Sequence, residues 1–564
     1  MHDPRIVARK LRQTAALLRL SRAPKFKIKA YERAAEVVAL VDRELAELIE
    51  QGRVRELGGV GVSISAQIQE IWNTGSSSYL QRLEAEQPAG ASELAEVEGV
   101  THKRLLALSE LGIRSVGELQ AACLAERVRN LPGFGARTEA RLLAAAERVL
   151  SAPAVAPPAP LIMARALELG ALFEARLAEA VEQVHTAGAL RRGEETIQQL
   201  DYVLIGDADS ALRRLSRLRQ VLRIDAEARA AQLVGGWRLE LHVAQPDELG
   251  TALVTSTGNA AHLEGLHALA RSRGFALCGK SARRFASETE LYAALGLAFI
   301  PPELRRGRDE FQQARAANFD DLIELGDIKG MVHCHTTYSD GKHGILEMAQ
   351  AAQALGMQYL TITDHSQSAH YARGVLLDAL KRQWDEIARV QAQVQIRILR
   401  GTESDILAEG GLDYPDAVLE QFDVLIASIH ARHRLDRRSM TERLQRALGL
   451  PLFKIWGHPL GRLLNHRPPI DCDVEAVLDA LAAAGGAVEI NADPHRLDFP
   501  AEWIPAARSR RLPFVISVDA HSTRGFEALR YGVKLARRGA IRRHEVLNAL
   551  PAEDFARRVR PCAS

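Results

Sequence analysis

Within its 564 residues the chain has no apolar run long enough to cross a membrane, so no membrane partner is expected. Its N-terminus, MHDPRIVARKLRQ, lacks an apolar signal core, which predicts a cytoplasmic protein. Cysteine is scarce: Cys123, Cys278, Cys334, Cys472 and Cys562 lie far apart and form no CxxC pair. An odd, scattered set fits reduced thiols and not a disulfide framework. A charge excess is missing too, since 73 Lys+Arg against 71 Asp+Glu leave +2, and the total names no partner. The distribution says more. Residues 1–33 hold ten Lys/Arg against two acids, including KFKIK at 25–29, which reads either as a solvated helix face or as a nucleic-acid contact.

What is present divides into three segments, because 564 residues are too many for one core. Residues 1–150 read as helices separated by glycine turns. SAPAVAPPAP at 151–160 can sustain neither a helix nor a central strand and reads as a linker. Residues 161–325 mix helices with short strands such as DYVLI (201–205), and from 327 to 564 apolar runs alternate with helices.

In the last segment MVHCH, YLTITDH, IRILRGTE, VLIASIH, FKIWGH, AVEIN and FVISVDAH are seven strand-like runs. Strand–helix alternation predicts a parallel sheet, and seven units predict a barrel. Six of the seven runs end in His, Glu or Asp, and in such a barrel the C-terminal strand ends share one rim. One strand-end histidine is ordinarily structural; six runs ending this way are hard to explain so. With Asp340 the set is His333, His335, Asp340, His365, Glu403, His430, His458, Asp519 and His521, six imidazoles and three carboxylates. That exceeds the needs of one metal, so two to three Zn, Mn or Fe ions are expected.

HCHTTYSDG, TITDHS, GTESDI, ASIHAR, GHPLGR, EINADPHRLD and SVDAH resemble the motifs of the polymerase-and-histidinol-phosphatase (PHP) domain over about residues 327–540. The resemblance implies that His333, His335, Glu403 and Asp519 hold one ion and Asp340, His365 and His521 a second. Glu403, as a bridge, would hold a third with His430 and His458. It also implies phosphoester hydrolysis. Arg462 and Arg496 follow strands five and six and are read as substrate-phosphate contacts, with ordinary surface arginines as the other reading.

Upstream, LGGVGVSI (57–64) and LPGFGART (131–138) have the x-G-x-G form between helices, where glycine lets backbone N–H groups approach phosphate. With KFKIKAYERAA they resemble the helix-hairpin-helix elements and small N-terminal domain of X-family DNA polymerases. This assigns DNA contact to Lys25, Lys27, Lys29, Gly59, Gly61, Gly133 and Gly135. A third candidate, VEGVTHKRL (97–105), has Thr101 in place of the second glycine and is expected to grip poorly.

GALRRGEETIQQLD (188–201), LELHV (239–243), STGNAAHL (256–263) and PPELRRGRDEF (301–311) extend the resemblance through the middle segment. Its polymerase positions depart from the family pattern. Ala189 stands where a serine precedes Arg191 and Arg192; Gln199 and Asp201 replace a D-x-D pair; Glu240 replaces the third aspartate. Leu263 stands where the family has an asparagine after the turn at Gly258. GDAD (206–209) is a literal D-x-D, but Asp207 lies ~20 Å along an extended chain from Asp201, whereas paired catalytic metals sit ~4 Å apart. Asp207 and Asp209 therefore read as turn residues.

The expected fold is multidomain α plus α/β: a helix-hairpin-helix region, an X-family palm and fingers core, and a distorted seven-stranded PHP barrel. The expected function is DNA repair of the base-excision type on gapped, nicked or 3′-ended duplex. It comprises 3′→5′ exonuclease, 3′-end processing and abasic-site cleavage, with polymerase activity weak or lost. Mg or Mn would occupy the polymerase site only if that site is active. The alternatives are an active gap-filling polymerase and a histidinol-phosphatase-like enzyme acting on small molecules.

Overall fold

The computed structural model describes residues 4–21, 23–40, 45, 48–49, 52–57, 60–95, 97–151, 159–279 and 282–561. Most of the expected linker (152–158) and Gly59 lie outside the described residues. No helix among those described is long and apolar enough to cross a membrane.

The chain forms two compact units. The first comprises 1–159, 179–181 and 207–241; the second comprises 160–178, 182–206 and 242–564. Part of the middle segment thus packs with the barrel, so the units do not follow the three sequence segments.

In the first unit, helices Pro4–Leu20, Lys25–Leu40, Val62–Thr74, His102–Glu110, Val116–Leu124 and Ala136–Ser151 surround one apolar core that includes Leu11, Val38, Ile68, Leu105 and Leu119. The start of Val116–Leu124 is fixed by a capping box, in which Ser115 accepts from the Glu118 N–H and Glu118 reaches back.

In the second unit, strands Gln183–Ala187 and Gln199–Ile205 pair antiparallel, with Ala187 opposite Asp201. Helices Leu249–Thr257, Ala260–Ser272 and Glu288–Ala294 pack around Val254, Leu266 and Leu291.

The seven barrel strands are Gly330–Cys334, Tyr359–Ile362, Arg397–Asp405, Val424–Ser428, Ile455–Trp456, Ala487–Asn491 and Phe514–Ser517. They pair in sequence order, each parallel to the next. The ring closes where Ala520 N donates to His333 O (3.0 Å) and His335 N donates to Ala520 O (2.9 Å). Nearly every strand residue is buried, because helices cover the outside and side chains fill the inside. Gly330 lets the first two strands approach: a Cβ there would stand 2.0 Å from the Tyr359 ring. At the rim, His333 (φ 65), His458 (φ 24) and Asp519 (φ 49) adopt left-handed backbone, which costs ~1–3 kcal/mol per residue. Strain of this kind collects where function fixes a side-chain direction.

Candidate metal centre

Strand-end geometry brings all nine candidate ligands to the barrel rim, with Glu403 in the middle. Its Oε1 lies 2.8 Å from His458 Nε2, 3.2 Å from His430 Nε2 and 3.3 Å from His333 Nε2. Its Oε2 lies 2.9 Å from His365 Nδ1 and 3.6 Å from His335 Nε2. Asp519 Oδ1 stands 3.2 Å from His335 Nε2 and 3.6 Å from His333 Nε2. Asp340 Oδ1 stands 3.3 Å from His521 Nε2 and 3.7 Å from His365 Nε2.

Four groups of ligand atoms at the rim are close enough to share an ion: His335, Asp340, His365 and His521; His333, His335 and Asp519; Glu403, His430 and His458; and His365, Asp405 and His430. His335, His365 and His430 each fall in two of them. The first two strand histidines meet by a route other than regular alternation, since the pairing register shifts between Met331 and Cys334 and His333 carries the positive φ.

The donor set fits divalent ions. His333 Nε2, both ring nitrogens of His335, His365 Nδ1 and both Glu403 oxygens are buried without a properly oriented hydrogen bond among the described residues. Such atoms cost ~1–3 kcal/mol each when left unsatisfied, whereas N and O atoms converging without hydrogen-bond geometry are what a cation requires.

Electrostatics point the same way. Burial opposes ionisation of Glu403, but His430, His333 and His365 outweigh it and hold the carboxyl well below its ordinary range. Against its burial, Glu403 and Asp405 push His430 up to about 10. Burial and then the neighbouring His365 pull His335 down to about 4. Protons and cations compete for this cluster.

Two supporting carboxylates escape the strand-end pattern. Glu489 Oε1 meets His333 Nδ1 at 2.5 Å, and Asp405 Oδ1 meets His430 Nδ1 at 2.6 Å. Each bond fixes a ring so that Nε2 faces inward. The sequence signal was an acid inside an apolar run, AVEIN, and a second acid two residues after Glu403 on the same strand.

The two arginines read as phosphate contacts diverge. Arg462 corrects that reading: it is buried, with Nε on Arg496 O (3.0 Å), Nη2 on Leu497 O and Nη1 paired with Glu195 (2.9 Å). Its guanidinium is fully engaged inside the protein. Arg496 is half-buried, with Nε 3.8 Å from Asp519 and a buried Nη1 that has no hydrogen-bond partner among the described residues.

At the polymerase positions the polar groups have found one another. Gln199 Nε2 donates to Asp201 Oδ1 at 2.7 Å, and His242 Nε2 lies 3.2 Å from the same oxygen. Asp201 rests on the bare face of Gly188 (φ 62), where a Cβ would stand 2.0 Å from Oδ2. The helix Gly188–Arg191 carries Ala189 and Arg191, which is forked onto Glu288 at 2.7 and 2.6 Å. Arg192 donates to Thr257 O (2.6 Å) and Glu194 (3.2 Å). Leu263 covers Gly258, whose Cβ would stand 2.9 Å from Leu263 Cδ2. Glu240, on strand Arg238–Val243, receives Arg238 Nε at 2.6 Å. Asp207 caps the helix Ala208–Leu215 by accepting from Asp209 and Ser210 N–H groups, the turn role expected of it.

Of the residues assigned to DNA, Lys25 and Lys29 are exposed at the start of their helix. Lys27 turns its Nζ over the Tyr79 ring (5.0 Å). Gly61 caps the helix Val62–Thr74, and Gly133 (φ 82) and Gly135 (φ 155) open the way into Ala136–Ser151, with nothing crowding any of the three. At the third hairpin Thr101 accepts from Arg104 N–H and so occupies a donor that a phosphate would use.

Residues 332–493 match the family model of the PHP domain, 3–77 a helix-hairpin-helix domain, 91–148 a SAM-like helix-hairpin-helix tandem and 252–306 the DNA polymerase beta thumb. The chain is 32% identical over 573 residues to the DNA polymerase/3′-5′ exonuclease PolX of Bacillus subtilis (strain 168), covering 98% of each. It is 32% identical over 165 residues to a probable phosphatase of Thermoanaerobacter sp. (strain X514), covering 28% of this chain and 62% of that one. It is 24% identical over 231 residues to a probable phosphatase of Syntrophotalea carbinolica (strain DSM 2380 / NBRC 103641 / GraBd1), covering 38% and 90%.

Proposed function

From a chain that belongs to the PolX-type X-family DNA polymerases, with helix-hairpin-helix, polymerase-beta thumb and C-terminal PHP regions, we propose a DNA-repair enzyme whose working catalyst is the barrel. The observation that carries this reading is the contrast in satisfaction. The barrel rim gathers buried ring nitrogens and carboxylate oxygens without hydrogen-bond partners among the described residues, while Asp201 already accepts from Gln199. The reaction is metal-dependent phosphoester hydrolysis at DNA 3′ ends, as 3′→5′ exonucleolysis, removal of blocked 3′ ends and cleavage at abasic sites. Zn, Mn or Fe would be held by His333, His335, Asp340, His365, Glu403, His430, His458, Asp519 and His521. Once bound, such ions acidify a water and neutralise charge on the phosphoryl centre.

The chain's own residues supply the rest. Glu489 and Asp405 fix the rings of His333 and His430. Arg496 keeps a buried Nη1 without a hydrogen-bond partner among the described residues, a donor that a substrate phosphate would satisfy. Lys25, Lys29 and the glycine hairpins hold the duplex by its backbone. In the core, Gln199 is neutral where the family pattern has a carboxylate and weakens Mg²⁺ binding, and a loss of ~4 kcal/mol in the transition state corresponds to about a thousandfold in rate.

A gap-filling polymerase is the second reading, favoured by the retained Asp201 and by the paired activities in the name of the Bacillus subtilis relative. A phosphatase acting on small metabolites would need neither hairpins nor a basic N-terminus. A gapped primer incubated with Mn²⁺, with and without nucleotides, tests the reading. Shortening under both conditions is expected. Extension with nucleotides would favour the second reading, and an unchanged primer would remove the nuclease.

A further inference from the structure

The loop that follows His365 carries an exposed aromatic ring at the edge of the metal centre. Tyr371 lies in the short 3₁₀ turn His370–Ala372 and is 65% exposed. Its ring centroid is nevertheless 5.7 Å from that of His365 and 5.8 Å from that of His430. Among the described residues it is the one large exposed aromatic whose ring contacts candidate metal ligands. Water has access to most of the ring, and its hydroxyl makes no hydrogen bond among the described residues.

The loop is held firmly enough to present that ring. Val375 N donates to His365 O at 2.8 Å, Gly374 N donates to Ala369 O at 3.0 Å, and Tyr414 Oη donates to Val375 O. Gly374 crosses Ser366 so closely that a Cβ would stand 1.8 Å from its carbonyl oxygen. Around the ring the loop exposes His370 and Arg373, with Leu376 (55%) and Leu377 (44%) beyond. Exposed apolar side chains gathered in one place, and rimmed by polar groups, mark a surface that meets a partner or ligand. An aromatic face with the Arg373 guanidinium beside it suits a nucleobase whose backbone is anionic.

We propose that Tyr371 is the platform on which the 3′-terminal nucleobase of the DNA stacks while its phosphate enters the metal centre. The proposal rests on the nuclease reading above and adds the group that positions the departing nucleoside. A nucleobase hangs one sugar from its phosphate, so a phosphate drawn to His365 and His430 leaves the base beside the ring that touches both. Every base has a π-face, so the contact discriminates a terminus bearing a base from an abasic one without reading sequence.

The test uses full-length protein carrying Tyr371→Ala, Tyr371→Phe or Tyr371→Trp. The first probe is DNA with a 3′-terminal 2-aminopurine joined by a phosphorothioate, so that it binds without being cut during the measurement. Its fluorescence should be quenched by wild type, Y371F and Y371W, and left bright by Y371A. The second probe is hydrolysis with Mn²⁺. For a base-bearing terminus Y371A should raise KM by roughly 5- to 150-fold, the range that loss of one stacked base gives, with kcat little changed. For a 3′-terminal abasic analogue Y371A and wild type should agree.

Equal losses on both substrates, together with lost metal in Y371A, would mark the ring as mere support for His365 and His430 and overturn the proposal. So would a Y371F defect as large as that of Y371A, since it would assign the role to the hydroxyl. Asp340→Ala run alongside separates the two levels. If it keeps full hydrolysis, the barrel reading fails, whereas quenching by Y371F but not Y371A reports on stacking alone.

Discussion

The barrel rim and the Asp201 strand are both built to gather polar side chains, yet they dispose of them in opposite ways. At the rim, five imidazoles crowd to within 2.8–3.6 Å of the Glu403 carboxylate, with several atoms lacking a hydrogen-bond partner among the described residues. At Asp201, the amide of Gln199 and the ring of His242 sit on one carboxylate oxygen, and Arg191 is forked onto Glu288. A site that awaits a cation keeps its lone pairs unmet. Polar groups already paired within the protein must give up those bonds before they can take an ion.

The comparison breaks most visibly at the barrel. Glu403→Gln, His335→Ala or Asp340→Ala should lower Mn²⁺-dependent primer shortening at least ~10³-fold, because metal-assisted chemistry is lost. Gapped-DNA affinity should stay within about twofold, since none of the three lies in a hairpin. Elemental analysis of the same variants should show fewer bound ions than wild type. An active Glu403→Gln would refute the multinuclear reading.

Glu489→Gln tests the outer carboxylate and should cost 10–100-fold in activity or metal affinity, the usual range for a group that orients a ligand histidine. Replacing Lys25 and Lys29 together by Ala should weaken DNA binding about tenfold and make the slope of log K against log salt shallower by up to ~2. Primer shortening at saturating DNA should not change. An unaltered salt slope would move the DNA contact away from this helix.

The smallest expected effect sharpens the contrast most. Asp201→Ala should leave primer shortening within about twofold of wild type, because Asp201 belongs to the core. If wild type extends a gapped primer strongly and Asp201→Ala abolishes it, the core is alive and Gln199 serves where a carboxylate was expected. Gln199→Asp removes the amide donor and places carboxylates at i and i+2 on one strand face. Weak incorporation by that variant would confirm that the missing ligand limits the core.

Much of the barrel was legible because strand alternation and terminal ligands are properties of local sequence. Seven apolar runs marked the seven strands, and their last residues marked the rim. Asp207 was legible as a turn residue because helix caps draw on a short list of residue types. Glu489 was not legible as a ring-orienting group, because its partner His333 lies 156 residues away and only the closed barrel brings them together. Arg462 misled for the same reason. Its position after a rim strand resembles a phosphate contact, while its partner Glu195 lies in another segment of the chain. Tyr371 carried no motif, and only its placement beside two histidines gives it meaning.

Glu194 and Glu195 also bear on how such a protein can be cut and recombined. Arg538 joins both, at 3.3 Å from Glu195, and Arg462 joins Glu195; each arginine side chain is less than a tenth exposed. A cassette starting at Asp327, the natural splice point by sequence, would carry both arginines away from these partners. Stranding one buried charge costs ~3–5 kcal/mol, which is a large share of a domain's whole stability. The barrel is therefore a poor module for transplantation unless its donor arginines are neutralised or the short Glu194–Glu195 segment travels with it. Over generations the same clasp would favour inheriting core and barrel together.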